Sequence, residues 1–308
     1  MLIYRSGVSW GERQLTWFDR AGHELSVGEK GNFEFQRLSP DGTKLALGQR
    51  DLWVEELARG VRMPLTNDPE TGKGYPVWSP DGRRLLFAAI SGKARLGIYQ
   101  KNSNGVGEEE LLLAAETADP LIWPTSWSPD GKFILFVRGH YWSACNLWVL
   151  PLYGDRRPRV LGNGDAGHFS PDGRWLAYSS TESGEFQVYV VPFDAARILK
   201  ESPGTDALAP SRWLVGKGGY PIWRRDGREI FYLGQGGIMG VEVEARSEHF
   251  EAGKPQLLFK ARPPDDYIDS FDVTPDGKRF VLTPQKINNP KAPFTLVVNW
   301  TALLGNKP

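Results

Sequence analysis

The chain has 308 residues, 12% aromatic and 40% hydrophobic, with 35 Gly and 23 Pro. That composition describes a well-cored chain with many turns and favours short strands over long helices. Lys plus Arg and Asp plus Glu number 37 each, so no global field draws nucleic acid or anionic lipid.

Residues 1–10 lack the basic start and apolar stretch of a secretory signal. No apolar run approaches the ~18–20 residues of a membrane span. The expectation is therefore a soluble chain without a span or export signal. Residues 1–30 hold strand-like segments at Leu2-Ile3-Tyr4, Gln14 to Phe18 and Glu24 to Val27. They match the second, third and fourth strands of a blade whose first strand is missing.

A tetrapeptide then organises the chain: Ser39-Pro40-Asp41-Gly42, Ser79-Pro80-Asp81-Gly82, Ser128-Pro129-Asp130-Gly131 and Ser170-Pro171-Asp172-Gly173. Weaker copies follow at Arg224-Arg225-Asp226-Gly227 and Thr274-Pro275-Asp276-Gly277. Successive glycines are 40, 49, 42, 54 and 50 positions apart, the recurrence of a repeat architecture. Proline sets φ, Asp bonds nearby backbone N–H groups and Gly takes positive φ, so each copy reads as a tight hairpin turn.

An apolar residue precedes every copy: Leu38, Trp78, Trp127, Phe169, Trp223 and Val273. Others stand three and five positions after each glycine, as at Leu45 and Leu47 or Ile134 and Phe136, the period of two of a strand. A third strand follows in each unit, as at Leu147-Trp148-Val149, and a fourth in most, as at Arg159-Val160-Leu161. Four antiparallel strands per unit of this length describe a propeller blade. The prediction is an all-β, four-stranded-blade propeller filling residues 1–308 as one domain. Six motif-bearing blades plus a three-stranded N-terminal blade make seven. In the alternative, Leu25 to Val27 completes the last blade and the ring has six.

The Ser-Pro-Asp-Gly turn with its Leu-x-Phe and Leu-Trp-Val strands resembles the TolB-like propeller repeat, a relative of the WD repeat, over essentially the whole chain. Residues Gln14 to Gly22, Leu147 to Leu152 with Gly154-Asp155-Arg156, Trp223 to Gly227 and Val297 to Thr301 are similar to the C-terminal propeller region of bacterial transmembrane Ser/Thr protein kinases. In that family the region follows a kinase domain and a membrane span. The chain itself has no Gly-rich loop with strand lysine, no His-Arg-Asp loop and no Asp-Phe-Gly, so the kinase activity is not carried over. The resemblance implies either a piece of a larger membrane-anchored kinase or a stand-alone relative. The chain by itself carries no signal of location; membership of a receptor kinase or a TolB-like protein would imply an extracytoplasmic or periplasmic one.

No catalytic constellation stands out. The single Cys145 excludes an intramolecular disulfide or multi-cysteine metal site and reads as a small loop residue. A calcium site needs six to eight converging oxygens, whereas each motif turn offers one carboxylate, so the motif aspartates read as turn formers. His23, His140, His168 and His249 lie in different repeats without metal-type spacing. His168 lies on an innermost strand lining the channel, where some propeller lyases gather histidines. No Gly-x-Ser-x-Gly elbow occurs, so of propeller-containing peptidases the chain resembles only the propeller half. Most tryptophans recur at repeat positions and read as core, while Trp10, Trp123, Trp142 and Trp213 fall off register and read as surface.

Two functions remain: a non-catalytic recognition or sensor module for a protein or small ligand, and a propeller enzyme, hydrolase or lyase, with its site at the channel. The lack of clustered His, Cys or paired carboxylates on inner strands favours recognition without cofactor or metal. Its face is expected where each innermost strand is entered, at Phe35, Tyr75, Trp123, His168, Tyr220 and Tyr267. The competing reading is that these rings only plug the channel.

Overall fold

The structure is a computed structural model that describes residues 2–5, 13–31, 33, 35–48, 50–68, 70–92, 95–116, 121–139, 145–200, 208, 211–234, 236–246, 249–260, 271–283 and 294–297. Three strands come first: β1 (Leu2–Arg5), β2 (Arg13–Asp19) and β3 (Glu24–Gly31). The first complete blade is β4 (Phe35–Leu38), β5 (Lys44–Gly48), β6 (Leu52–Glu56) and β7 (Val61–Pro64), paired antiparallel in chain order. The second repeats that order with β8 (Gly72–Trp78), β9 (Arg84–Ser91), β10 (Gly97–Asn102) and β11 (Glu110–Ala114). The third has β12 (Leu121–Trp127), β13 (Phe133–Gly139), β14 (Asn146–Pro151) and β15 (Arg159–Asn163).

In the fourth blade β16 (Asp165–Phe169), β17 (Trp175–Ser180) and β18 (Gln187–Pro192) precede α1 (Ala195–Lys200). Its outer strand is the first half of β19 (Trp213–Trp223). From Gly218 onward the same strand is the innermost of the fifth blade, so the two blades form one eight-stranded sheet. The fifth blade continues with β20 (Glu229–Gly234) and β21 (Gly237–Ala245). A short β22 (Phe250–Ala252) pairs with the far end of β21, and β23 (Gln256–Phe259) is the outer strand. Last come β24 (Phe271–Val273), β25 (Arg279–Leu282) and β26 (Phe294–Val297).

The termini close the ring together. The order β24-β25-β2-β3 completes a sixth four-stranded blade, and β1 pairs with β26 as a separate two-stranded sheet. Six blades and this pair make seven units, but their membership differs from a three-stranded N-terminal blade. β2 and β3 take the third and fourth places beside the Thr274–Gly277 turn, whereas the alternative closure brought only Leu25 to Val27 there and left Gln14 to Phe18 spare; the third-strand segment near Thr295 pairs with β1 instead. The reason is the edge: β25 would otherwise present an open row of N–H and C=O groups.

The motif turns sit in a ring at one rim. A Cβ built on Gly42 would stand 2.9 Å from Cδ of Pro275, and one on Gly173 would stand 3.4 Å from Cδ of Pro129. At these two places the proline of one turn thus packs on the glycine of the next blade, the sixth blade on the first and the third on the fourth. Within each serine turn the hydroxyl donates to the Asp carboxylate, at 2.6 Å in Ser79–Asp81, Ser128–Asp130 and Ser170–Asp172. The same carboxylate oxygen accepts the backbone N–H two residues on. In the degenerate fifth copy the Arg224 guanidinium replaces the hydroxyl, its Nε donating to Asp226 at 2.7 Å. Arg225, where other copies have Pro, donates to the Pro40 carbonyl of the first blade's turn.

Gly131 has φ 74° and nothing within 4 Å of where a Cβ would be, so it isolates the backbone cost. Gly131→Ala is expected to destabilise by about 1–2 kcal/mol from the left-handed conformation alone. Gly131→Asn is expected to lose less, and urea titration of both checks it.

The Ser39, Ser79 and Thr274 hydroxyls, and Arg224 in the fifth copy, hold Asp41, Asp81, Asp276 and Asp226 below the usual carboxylate range. For Asp130 and Asp172, burial pulls upward but the serine hydroxyl and backbone N–H outweigh it. A lowered folded pKa contributes stability that is complete above the unfolded value, about 3.9 for Asp, and is lost as pH falls through the folded values. Melting temperature is expected to hold down to about pH 4–5 and then fall, the fall shrinking in Asp81→Asn/Asp172→Asn.

Blades pack on one another through the residue before each turn. The Trp78 indole donates to the Arg37 carbonyl of the preceding blade at 2.9 Å, and the Trp223 indole to the His168 carbonyl at 3.3 Å. At the closing seam Arg20, just after β2, donates to both oxygens of Glu229, at 3.0 and 2.6 Å, and to the Gly277 carbonyl at 3.1 Å. Arg224 donates to the same Glu229 at 2.7 Å, so one nearly buried carboxylate ties the N-terminal strand to the fifth blade.

Candidate functional site

The inner strands run from an entry end to the turn ring, and their regularity breaks near the entry. Bulges fall between Gly74 and Val77, Pro124 and Ser126, Asp165 and His168, and Gly219 and Ile222, in four consecutive blades. At three of them a non-glycine residue takes positive φ: Tyr75 at 56°, Ala166 at 49° and Tyr220 at 59°. Each stands three residues before the Trp or Phe that precedes the motif turn. A bulge kinks the strand and re-aims side chains. A bulky residue at positive φ is an outlier that persists only when its surroundings over-determine it.

Those surroundings are visible. Tyr75 packs at a tilt against Phe35 of the first blade, ring centroids 4.1 Å apart, and stacks on Trp123 of the third at 5.3 Å. The Tyr220 backbone N–H donates to the Ser179 hydroxyl at 2.9 Å. Nearby, Thr125 donates to the Gly167 carbonyl at 2.7 Å and Phe169 N–H to the Ser126 hydroxyl at 3.2 Å. Polar side chains of one inner strand thus hold the backbone of the next.

Of the sequence-predicted residues, the structure brings Phe35, Tyr75 and Trp123 into one aromatic stack within a shared apolar cluster. Tyr220 lies in a second cluster with Ala166, Phe231 and Phe280. His168 is half-buried beside its bulge. Tyr267 lies outside the described residues, as do His140, Trp10 and Trp142. The rings are 3–7% exposed. Trp123 is therefore not the surface residue its off-register position suggested: β12 begins at Leu121, which draws the indole into the stack. Trp213 is half-buried against Trp175, edge to face at 5.4 Å.

Sequence reading missed the polar members of the inner wall. Gln36 is fully buried on β4, and neither amide atom has a hydrogen-bond partner among the described residues. Asp272 accepts the Leu38 N–H at 2.7 Å across the sixth and first blades. Lys73 on β8 is 1% exposed and donates to Glu109 at 2.8 Å, with Asp51 at 3.9 Å. The signal was a polar residue interrupting an apolar strand, in Phe35-Gln36-Arg37-Leu38, Gly72-Lys73-Gly74 and Phe271-Asp272-Val273. Burying such groups is costly unless something compensates them.

Burial, with Asp165 adding, pushes the Cys145 thiol up to about 12, so it stays protonated. Among the described residues no three His, Cys, Asp or Glu side chains are grouped to hold a metal. Nor is any helix there long and apolar enough to cross a membrane.

No family model matches the chain. It is 29% identical to an uncharacterised protein of Agrobacterium fabrum, over 80% of this chain and 83% of that one. It is 25% identical to the uncharacterised peptidase YuxL of Bacillus subtilis over 84% of this chain, spanning 47% of that protein's length. Among solved structures, one assigned as TolB from Agrobacterium tumefaciens superposes with a TM-score of 0.61 at 18% identity, covering 89% of this chain and 98% of that one. TolB from Acinetobacter baumannii gives 0.55 at 16% identity, covering 92% and 65%. An oligogalacturonate lyase in complex with manganese gives 0.51 at 12% identity, covering 94% and 78%. The chain is a TolB-like β-propeller in fold; at these identities the likeness to solved structures concerns fold alone.

Proposed function

We propose that the whole chain acts as one recognition propeller, capturing a protein or small ligand at the entry end of the channel. The observation that supports this reading is the strain there: two tyrosines held at positive φ in equivalent bulges. Strained backbone of this kind clusters at binding and catalytic sites. In this reading Tyr75 and Tyr220 present a polar handle to the ligand, and Phe35, Trp123, His168 and Tyr267 complete the face. The amide of Gln36 adds a buried polar group to the wall. An extracytoplasmic location is part of the proposal, by analogy with the TolB-like neighbours.

The test separates binding from packing. Tyr75→Phe/Tyr220→Phe keeps both rings and both backbone conformations and removes only the hydroxyls. Expected are a melting temperature within about 2–4 °C of wild type and capture of the wild-type partner from lysate reduced about tenfold. Unchanged capture would move the recognition face elsewhere.

A second reading draws on the similarity to YuxL: the propeller as the non-catalytic half of a peptidase-like protein. Adding a separately expressed hydrolase domain and assaying peptide-anilide cleavage distinguishes it, since only this reading expects the propeller to alter cleavage.

A further inference from the structure

The seam between the sixth and first blades holds a cavity of about 430 Å³, on the rim of the motif turns and away from the entry end. That volume falls within the roughly 300–1,000 Å³ of small-ligand sites. Its apolar walls come from both blades: Trp17 of β2 and Leu25 of β3 on one side, Leu57 and Ala58 after β6 on the other. Leu25 is 51% exposed at the lip. The hydroxyl residues Ser26 and Thr43 also line it, and the one charged lining residue is Arg279, at the start of β25.

Arg279 is exposed, and its guanidinium lies over the Trp17 ring, 5.6 Å from the centroid. Two carboxylates near it in the fold are hydrogen-bonded within their own turns, and the Arg279 charge also acts on one of them, Asp276. Asp19, its cross-strand partner, accepts from the Ala21 and His23 backbone N–H groups and pairs with the His23 ring, each at 2.9 Å. Asp276 is held by the Thr274 hydroxyl at 2.7 Å and the Lys278 N–H at 3.1 Å. No carboxylate among the described residues forms an ion pair with Arg279. A planar guanidinium pre-oriented on an aromatic face, beside apolar walls and hydroxyls, is matched to a carboxylate with an apolar neighbour.

We propose that this seam cavity binds a carboxylate carried next to an apolar group, Arg279 holding the carboxylate and Leu25, Leu57 and Trp17 taking the apolar part. That chemistry belongs both to small apolar carboxylic acids and to a peptide's C-terminus ending in an apolar residue. The site is separate from the channel face and does not rest on the recognition reading.

Ligand-observed NMR on the full chain tests it with N-acetyl-leucine, acetyl-Gly-Gly-Leu and the C-terminal amide of each. Expected is saturation transfer to the acids and about tenfold weaker binding of the amides. Arg279→Gln, at an exposed position, is expected to weaken the acids about tenfold with an unchanged melting temperature. Leu25→Asp, which sets a carboxylate at the lip, is expected to weaken them similarly. Binding of the tripeptide acid alone would assign the site to chain termini, and equal binding of both acids to small carboxylates as well. No transfer at about 10 mM probe, amides binding as well as acids, or an Arg279→Gln protein that binds like wild type would each overturn the proposal.

Discussion

Trp127→Ala is expected to lower unfolding stability by about 3–5 kcal/mol, the range for a buried large aromatic. The indole is nearly buried between the second and third blades, clustered with Val77, Leu86 and Ile98 on one side and Ile134, Phe136 and Leu150 on the other. The Arg84 guanidinium lies 5.1 Å from its ring centroid, and its Nε1 donates to the Gly131 carbonyl at 3.2 Å. Truncation therefore removes apolar area, a cation–π contact and one hydrogen bond, and leaves a cavity the flanking strands cannot close without breaking ladder bonds. Trp127→Phe keeps most of the area and is expected to lose about 1–2 kcal/mol. Urea titration reads both, and a loss below about 1 kcal/mol for the alanine variant would show that the blades do not pack through this position.

The second large effect is asymmetric. Lys73 is almost fully buried, with Glu109 as its close partner; Asp51, at 3.9 Å, is also engaged by the Thr66 hydroxyl at 2.7 Å and the Asp68 N–H at 2.9 Å. Glu109→Leu strands a buried ammonium and is expected to cost about 3 kcal/mol. Lys73→Met removes the charge needing compensation and leaves Glu109, whose side chain is 26% exposed, to be hydrated. It is expected to be neutral within about 1 kcal/mol or mildly stabilising. The double variant should resemble Lys73→Met. Equal losses in the two single variants would mean that the pair contributes through packing rather than charge.

Much of the fold was legible because each repeat carries its own instructions. The turn residues of Ser128 to Gly131 need only their neighbours, and Gly131 takes the positive φ that its motif implies. The alternation around Ile134 and Phe136 likewise placed a strand whose faces are both buried. Less legible was β19, since nothing local shows that one continuous strand serves two blades. The helix α1 went unread because six residues carry too little periodicity. Of the aromatics expected at the strand entries, Phe35, Tyr75 and Trp123 share one buried cluster and Tyr220 lies in another; their burial was not legible, because exposure at a propeller entry depends on how far each inner strand extends.

The sequence by itself determined that this protein is a repeat of four-stranded blades hinged on Asp-Gly turns. Those features follow from φ preferences and from a period of two, which act over a few residues. Only the tertiary structure decided that β2 and β3 leave β1 to complete the last blade, that Lys73 and Gln36 are buried, and that Tyr75 and Tyr220 sit at positive φ. The first arises where strands more than 250 residues apart in the chain meet, and the others where neighbouring blades pack. The satisfaction of an open edge or a buried charge is a property of the closed ring, not of any segment within it.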